Sequence, residues 1–243
     1  MTTAATTFTD AWRAWRTERE AAATAPGGLA VVTGTHWLSD EPAPVEGVTG
    51  RWSRAGDRVV GDLGGSTVEL GIGETAEIGG VTVRALSNPR GIGVRLFDDA
   101  SPYRAGLAGI DAYEPDEVWV LPGRVTVPRR ATVQVRHADG WVADVRIAAD
   151  VVVTVEGREV TLAAWDDGAG ALQVSFADST RSSEETGFRF LSLPRGEGPV
   201  TVDFNRAYLP PSAFTPHYLC PNPPAGNTLD VAVEAGERRP RRR

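Results

Sequence analysis

The sequence has 243 residues, of which 41% are hydrophobic and 23% charged, which is the composition of a folded globular protein rather than a disordered or fibrous one. It contains no lysine and one cysteine, Cys220. These two facts exclude lysine nucleophiles, pyridoxal Schiff bases, the glycine-lysine phosphate loop, disulfides within the chain and multi-cysteine metal sites. The formal net charge is −7 at pH 7. Because non-specific nucleic-acid binding needs a basic surface, we expect no nucleic-acid partner.

The hydropathy pattern argues against contact with a membrane. No apolar stretch is long enough to form a membrane-spanning helix, and the N-terminal residues lack the apolar core of a signal peptide. We therefore expect a soluble cytoplasmic protein with no membrane partner. Edge strands could pair between subunits, so the sequence is compatible with either a monomer or a homodimer.

The first predicted element is an amphipathic helix over about residues 9–24. This prediction rests on four apolar residues at helical spacing, namely Phe8, Trp12, Trp15 and Ala22. The turn residues Pro26-Gly27-Gly28 follow directly and are expected to end the helix.

From Leu29 onward the chain consists of short β-prone runs separated by glycine-rich turns, beginning with Leu29–Thr33, including Val81–Leu86, and ending with Leu229–Val233. Strands at this spacing without intervening helices indicate a mainly β fold with antiparallel sheets, either a sandwich or barrel-like. We predict one β-rich domain over residues 1–237. The remaining residues, 238–243, hold five arginines and are predicted to form a disordered tail.

The first candidate binding residues lie where a predicted strand meets a long irregular segment. Arg95 is near the end of the strand, and Asp99 belongs to the acidic pair that opens the segment Asp98–Glu117. An arginine and a carboxylate at such a point can form a bidentate salt bridge that holds the loop, or they can bind an anionic ligand together. Both interpretations remain open, and both residues are ligand-binding candidates.

The densest polar cluster is found at the end of the last long strand. If Val202 and Phe204 face the core, strand alternation places Asp203 and Asn205 on the opposite face. The candidates here are Asp203 and His217 for proton transfer, and Asn205, Arg206 and Tyr208 for ligand binding, with Arg95 and Asp99 as an opposite wall. A polar network that anchors the proline-rich segment 205–228 explains the same residues.

A metal site is not predicted, because His36, His137 and His217 are isolated from one another in the sequence. The residue pattern identifies no other cofactor, so the cofactor is unknown.

The C-terminal third carries a recognisable signature. Residues 203–216 read DFNRAYLPPSAFTP, and this run continues through Cys220–Pro224 to Glu234–Glu237. Upstream, Asn88–Asp99 is a glycine-containing, arginine-bearing strand that ends in aspartates, and Phe176–Thr180 precedes Arg189-Phe190-Leu191. Together these residues resemble the family called domain of unknown function 1684. The resemblance covers most of the chain and implies a single domain, but it implies no reaction.

Our functional hypothesis is an uncharacterised cytoplasmic protein that binds a small polar or anionic molecule in a pocket near the proline-rich segment. Acid–base catalysis by Asp203 or His217 is an extension of this hypothesis. The alternative is a non-catalytic structural or protein-interaction module whose polar cluster only anchors the loop. The sequence does not decide whether the protein is an enzyme.

Overall fold

The structure is a computed structural model that describes residues 7–137, 139–182 and 187–243. It is mainly β, with antiparallel sheets and one N-terminal helix, which confirms the predicted fold class. The α-helices of the described residues are α1 (Phe8–Thr24) and the single-turn α2 (Pro102–Ala105), and short 3₁₀ turns occur elsewhere along the chain. The first strands are β1 (Val32–Trp37), β2 (Ala43–Val45), β3 (Val48–Ala55), β4 (Arg58–Asp62), β5 (Thr67–Gly71), β6 (Thr75–Ile78), β7 (Val81–Asn88) and β8 (Gly91–Phe97). The later strands are β9 (Leu107–Ala112), β10 (Val120–Thr126), β11 (Thr132–Arg136), β12 (Val142–Arg146), β13 (Ala149–Val155), β14 (Arg158–Asp166), β15 (Ala171–Phe176), β16 (Arg189–Pro194), β17 (Gly198–Asp203) and β18 (Glu237–Arg242).

Local signals set both ends of α1. At its start the hydroxyl oxygen of Thr7 accepts a hydrogen bond from the backbone N–H of Asp10 at 3.2 Å, which satisfies one of the free N–H groups of the first turn. At its end Pro26 disfavours helical geometry in the residue before it, and Gly27 adopts a left-handed φ of 69°. No helix formed by the described residues is long and apolar enough to cross a membrane.

The chain forms two compact units. The smaller unit comprises Ala22–Leu107, Phe214–Tyr218 and Arg243. The larger unit comprises the N-terminal residues up to Ala21, residues Ala108–Ala213 and residues Leu219–Arg242. The single domain expected from the sequence stays a prediction.

The smaller unit contains two four-stranded antiparallel sheets, with strand orders β1-β8-β7-β6 and β2-β3-β4-β5. Both sheets contribute to one hydrophobic core, which includes Trp52, Val59, Val83, Val94 and Leu96. Because side chains alternate along a strand, burial of Val83 and Val94 places the side chains of their neighbours on the outer face of the first sheet.

The larger unit is built on the six-stranded sheet β16-β15-β14-β13-β10-β17, with the hairpin β11-β12 and the pair β18-β9 beside it. Strands β13 and β14 are joined by a tight turn and share seven register pairs from Ala149↔Ala164 to Val155↔Arg158. The buried face of the sheet packs with Leu229 and Val233 of the C-terminal segment. This packing fixes the C-terminal segment on the larger unit.

Two predictions about the C-terminus were wrong. Leu229–Val233 was predicted as a strand but is irregular. The backbone of residues 177–179 bonds only Leu229 and Val231 of this segment. At Val233 side chains take over, because its N–H donates to Asp178 and its carbonyl accepts from Arg189. The arginine-rich end was predicted to be a disordered tail, yet residues 237–242 form β18, paired with β9. Arg239 lies 3.1 Å from Asp111, and this ion pair offsets part of the tail's positive charge.

Candidate functional site

The predicted cluster at residues 203–208 lies in the larger unit, where Asn205 is fully buried. Its side-chain oxygen accepts a hydrogen bond from the N–H of Asp116 at 2.9 Å. Its side-chain nitrogen donates to the carbonyl of Asp116 at 2.9 Å and to Asp203 Oδ1 at 3.0 Å. The amide group is therefore fully used in tying the start of the proline-rich segment to residue 116.

Asp203 and Arg206 also contact each other and the local backbone. Asp203 Oδ1 accepts from the N–H of Asn205 at 3.0 Å and so caps the 3₁₀ turn Phe204–Arg206. Arg206 Nε lies 3.4 Å from Asp203 Oδ2, in a pair that is partly open to solvent. These contacts bring three of the predicted residues together as a capped turn, while their roles in ligand binding or catalysis stay predictions.

Tyr208 lies next along the chain, with its ring under the guanidinium group of Arg19 at 4.9 Å from the ring centroid. Its hydroxyl oxygen accepts a hydrogen bond from Gln173 Nε2 at 2.8 Å. Burial raises the pKa of Tyr208 above the ordinary value, although the bond from Gln173 acts in the opposite direction. The phenol thus stays protonated at neutral pH.

Arg95 and His217 belong to the smaller unit, where Thr35 connects them. Arg95 Nε donates to the hydroxyl oxygen of Thr35 at 3.1 Å, and that hydroxyl donates to the backbone carbonyl of His217 at 2.8 Å. The Arg95 guanidinium also stacks on the ring of Tyr218, 4.9 Å from the centroid. The segment Phe214–Tyr218 therefore contacts the outer face of β1 and β8 through side chains as well as backbone.

Beside this contact, the ring of His217 lies edge-on to Tyr103, with ring centroids 5.7 Å apart. His217 Nε2 is 3.5 Å from the Tyr103 hydroxyl oxygen. On β1, His36 Nε2 is buried and makes no hydrogen bond within the described part of the chain. Its ring occupies the space above Gly34, where a Cβ would lie 2.5 Å from Nε2, so a larger residue at position 34 would require the imidazole to move.

Arg95 also lines a cavity of about 200 Å³ on the smaller unit, together with Arg84, Gly73 and Ser87. Arg84 on β7 and Arg95 on β8 are directly opposite each other in the antiparallel register. Arg84 is exposed and its side chain makes no ion pair or hydrogen bond with any residue the structure describes. The lining of this cavity contains no carboxylate, so two positive groups face one small space.

The last predicted residue, Asp99, lies elsewhere in the smaller unit. Its Oδ1 accepts a hydrogen bond from the N–H of Gly27 at 2.8 Å. Its backbone carbonyl accepts from Arg104 at 3.0 Å. These contacts are those of a residue that holds the turn after α1, and its ligand-binding role stays a prediction.

We expect the pKa of His217 to lie below the ordinary value of 6.5. The main cause is burial, which disfavours the charged imidazolium; repulsion from His36 adds to it, and attraction from Glu46 opposes it. As the pH falls below 6.5 the unfolded chain takes up this proton before the folded one, so the contribution of His217 to stability is present above 6.5 and is lost as the pH falls through the folded pKa. NMR titration of the imidazole resonances measures this value.

The control for that titration is His36→Gln, which removes one neighbouring imidazole. It should raise the pKa of His217 only part of the way to the ordinary value, because burial remains. A His217 pKa at or above the ordinary value in the native protein would contradict the prediction.

Sequence reasoning missed Thr35, His36, Tyr103 and Arg84 as members of this region. One signal was present for Arg84: the alternation Val81-Thr82-Val83-Arg84-Ala85 already places it on the face opposite Val83. Its pairing with Arg95 depends on the β7–β8 register, which the sequence alone does not give. Among the described residues there is no group of three or more His, Cys, Asp or Glu side chains placed to hold a metal ion.

The protein is therefore mainly β and has two clusters of interest. The polar cluster around Asn205 lies in the larger unit, and the basic cluster of Arg84 and Arg95 lies in the smaller unit. The chain matches the family described as "Protein of unknown function (DUF1684)" over residues 105–238, and it belongs to this family. It is also similar to the solution NMR structure of an uncharacterized protein from Haloarcula marismortui, with 29% identity, coverage of 54% of this chain and 76% of that chain, and a TM-score of 0.44. No curated protein matches the chain.

Proposed function

We propose that this protein binds a small anionic molecule at the cavity between Arg84 and Arg95. The observation that carries the proposal is the placement of two arginines directly opposite each other on neighbouring strands, facing a cavity whose lining holds no carboxylate. Like charges at directly opposite positions destabilise a sheet. A bound anion would convert this repulsion into two charge-assisted hydrogen-bonding interactions.

The size of the cavity limits the ligand. Its volume is about 200 Å³. A water molecule occupies about 30 Å³ in the liquid, so the cavity suits a phosphate, a sulfate or the carboxylate end of a small molecule rather than a nucleotide cofactor. Arginine is suited to this task because its planar fork matches the geometry of such oxyanions.

Within this proposal, His217 is the residue that transfers a proton. The hydroxyl of Thr35 bonds both Arg95 and the backbone carbonyl of His217, so hydrogen bonds connect His217 to the arginine that would hold the anion. The lowered pKa keeps the imidazole neutral at physiological pH, which is the form that accepts a proton. The Tyr103 hydroxyl, 3.5 Å from Nε2, is a neighbour with which it can exchange a hydrogen bond.

The alternative function, a non-catalytic structural or interaction module, is favoured by the contacts of Asn205 in the larger unit. Its amide is fully engaged within the protein and offers nothing to a ligand. Under this alternative, the polar residues near position 205 serve only the loop, and no anion stabilises the protein through Arg84.

The proposal predicts that phosphate, sulfate or a small carboxylate raises the melting temperature of the protein in a saturable manner, because a ligand of the native state stabilises it by mass action. Arg84→Ala should weaken this binding by about tenfold or more, the loss expected for a charged hydrogen-bonding partner. Thermal-shift titrations at constant ionic strength measure both effects.

Arg58→Ala is the matched control, since Arg58 is an exposed arginine of the same unit that pairs with Glu69 at 3.5 Å and does not line the cavity. It should retain the anion effect. Stabilisation that is equal in wild type and Arg84→Ala, or absent with every anion, would count against the proposal.

A further inference from the structure

A separate and larger cleft lies in the larger unit, between the hairpin strand β11, the strands β13 and β14, and the turn at residues 224–227. Its volume is about 820 Å³, within the range of typical small-molecule sites. None of its lining residues belongs to the Arg84–Arg95 cavity, so it is an independent feature of the protein.

The charge at the cleft is unbalanced. Arg129 and Arg130 both line it, against one lining carboxylate, that of Asp150. The backbone N–H and Nε of Arg129 donate to Asp150 Oδ2 at 3.0 and 2.9 Å, so this pair is mutually neutralised. Arg130 is exposed, and none of the described residues forms an ion pair or hydrogen bond with its guanidinium group. One positive charge is thus left at the rim.

The rest of the lining combines an apolar floor with neutral polar groups. Val133, Ile147 and Ala163 belong to a small hydrophobic cluster and give the floor. Thr132, Gln134 and Thr161 add hydroxyl and amide groups beside it. An apolar surface with a few polar groups and one charge is the usual composition of a site for a small organic ligand.

The loop wall of the cleft is rigidly held. Asn227 is fully buried, and its side-chain amide bonds both the N–H and the carbonyl of Ala163, at 2.8 and 2.9 Å. The same amide donates to the carbonyl of Ser175 at 2.8 Å, and the backbone N–H of Asn227 closes a turn to the carbonyl of Pro224 at 2.8 Å. This wall of the cleft is therefore held in place by contacts within the protein, which reduces the ordering cost of binding.

We propose that this cleft binds a small organic anion, a molecule with an apolar body and one carboxylate or phosphate group. The apolar body lies on the floor of Val133, Ile147 and Ala163, and the anionic group pairs with Arg130. Carboxylate and phosphate groups can both be recognised in this way, because the planar guanidinium of Arg130 matches the geometry of either group.

The test uses benzoate and phenyl phosphate as probes and benzyl alcohol as the neutral analogue, with backbone amide NMR shifts as the readout. We expect saturable shifts at residues 132–134, 161–163 and 225–227 with at least one anion. Benzyl alcohol at the same concentration should bind more weakly. A response to phenyl phosphate but not to benzoate assigns the site to phosphate monoesters, and the converse assigns it to carboxylates.

Arg130→Ala should weaken binding of the responding anion by roughly 10- to 100-fold, the loss of one charge-assisted hydrogen-bonding partner. Arg158→Ala is the control, because Arg158 is an exposed arginine of the same unit that does not line the cleft. Failure of both anions to cause saturable shifts, or equal affinity in wild type and Arg130→Ala, overturns the proposal. Neither result bears on the Arg84–Arg95 site, which Arg84→Ala tests by itself.

Discussion

Glu237→Ala is expected to lower the free energy of unfolding by about 3–5 kcal/mol, the loss typical when one partner of a buried ion pair is removed. Glu237 is fully buried, and its carboxylate accepts from Arg19 Nε at 3.0 Å and from the N–H of Leu209 at 2.7 Å. Arg16 lies 3.8 Å away. The substitution leaves the Leu209 N–H without this acceptor and leaves the largely buried Arg19 without its carboxylate partner.

The measurement is urea denaturation with linear extrapolation, compared with Glu234→Ala. Glu234 is an exposed acid three residues earlier. Its removal should change the free energy of unfolding by no more than about 0.5 kcal/mol. If the two variants are equally stable, then the carboxylate of Glu237 does not hold α1 and the C-terminal segment as described.

Arg189→Met should be of similar severity, with a loss of about 3–5 kcal/mol, because it leaves a buried carboxylate without its partner. The Arg189 guanidinium binds Asp178, whose side chain is only 4% exposed, and it donates to the carbonyls of Val233 and Ala235. The Arg189 side chain therefore supplies hydrogen bonds to residues 233–235 that a neighbouring strand would otherwise supply. Removing it frees these carbonyls as well as the carboxylate.

Arg195→Met provides the matched control for that loss. Arg195 pairs with Asp166 at 2.6 Å, but both side chains are about half exposed. A surface ion pair of this kind contributes about 0–1 kcal/mol. Both variants are measured by urea denaturation. If Arg189→Met and Arg195→Met lose the same free energy of unfolding, then burial does not set the strength of the Arg189 contact.

The N-terminal helix and the antiparallel sheets could be predicted from the sequence because their signals are local. The spacing of Phe8, Trp12 and Trp15 defines the helix, and Pro26 and Gly27 define its end. The alternation in Val81–Leu86 likewise predicts β7, which the structure extends to Asn88. These features depend on neighbours within a few residues.

The C-terminus could not be predicted in the same way, since its structure depends on residues far away in the sequence. The alternation of Leu229–Val233 suggests a strand, but its end is held by side chains from another part of the chain, since Arg189 and Asp178 supply the hydrogen bonds of Val233. The arginine-rich end has the composition of a solvated tail, yet Asp111 offers it an ion-pair partner beside β9. Neither partner can be identified without knowing the fold.

The candidate site was predicted in part. Arg95 and His217 were chosen from residue type and position, and the structure connects them through Thr35. Arg84 was missed because its position opposite Arg95 depends on the strand register. Arg130 was missed because only the folded structure shows that no side chain of the described residues pairs with it at the cleft. Asn205 was chosen for its polarity, but its contacts are those of a loop anchor.

The most direct test of the anion-binding proposal is to observe the Nε–H resonances of Arg84 and Arg95 by NMR during titration with phosphate, sulfate and acetate. We expect one or more of these anions to shift both resonances in a saturable manner, with the backbone N–H of Ser87, which lines the same cavity, following them. The Nε–H of Arg58 should stay unchanged. Resonances of Arg84 and Arg95 that remain in place at millimolar concentrations of all three anions would mean that the two arginines do not form an anion site.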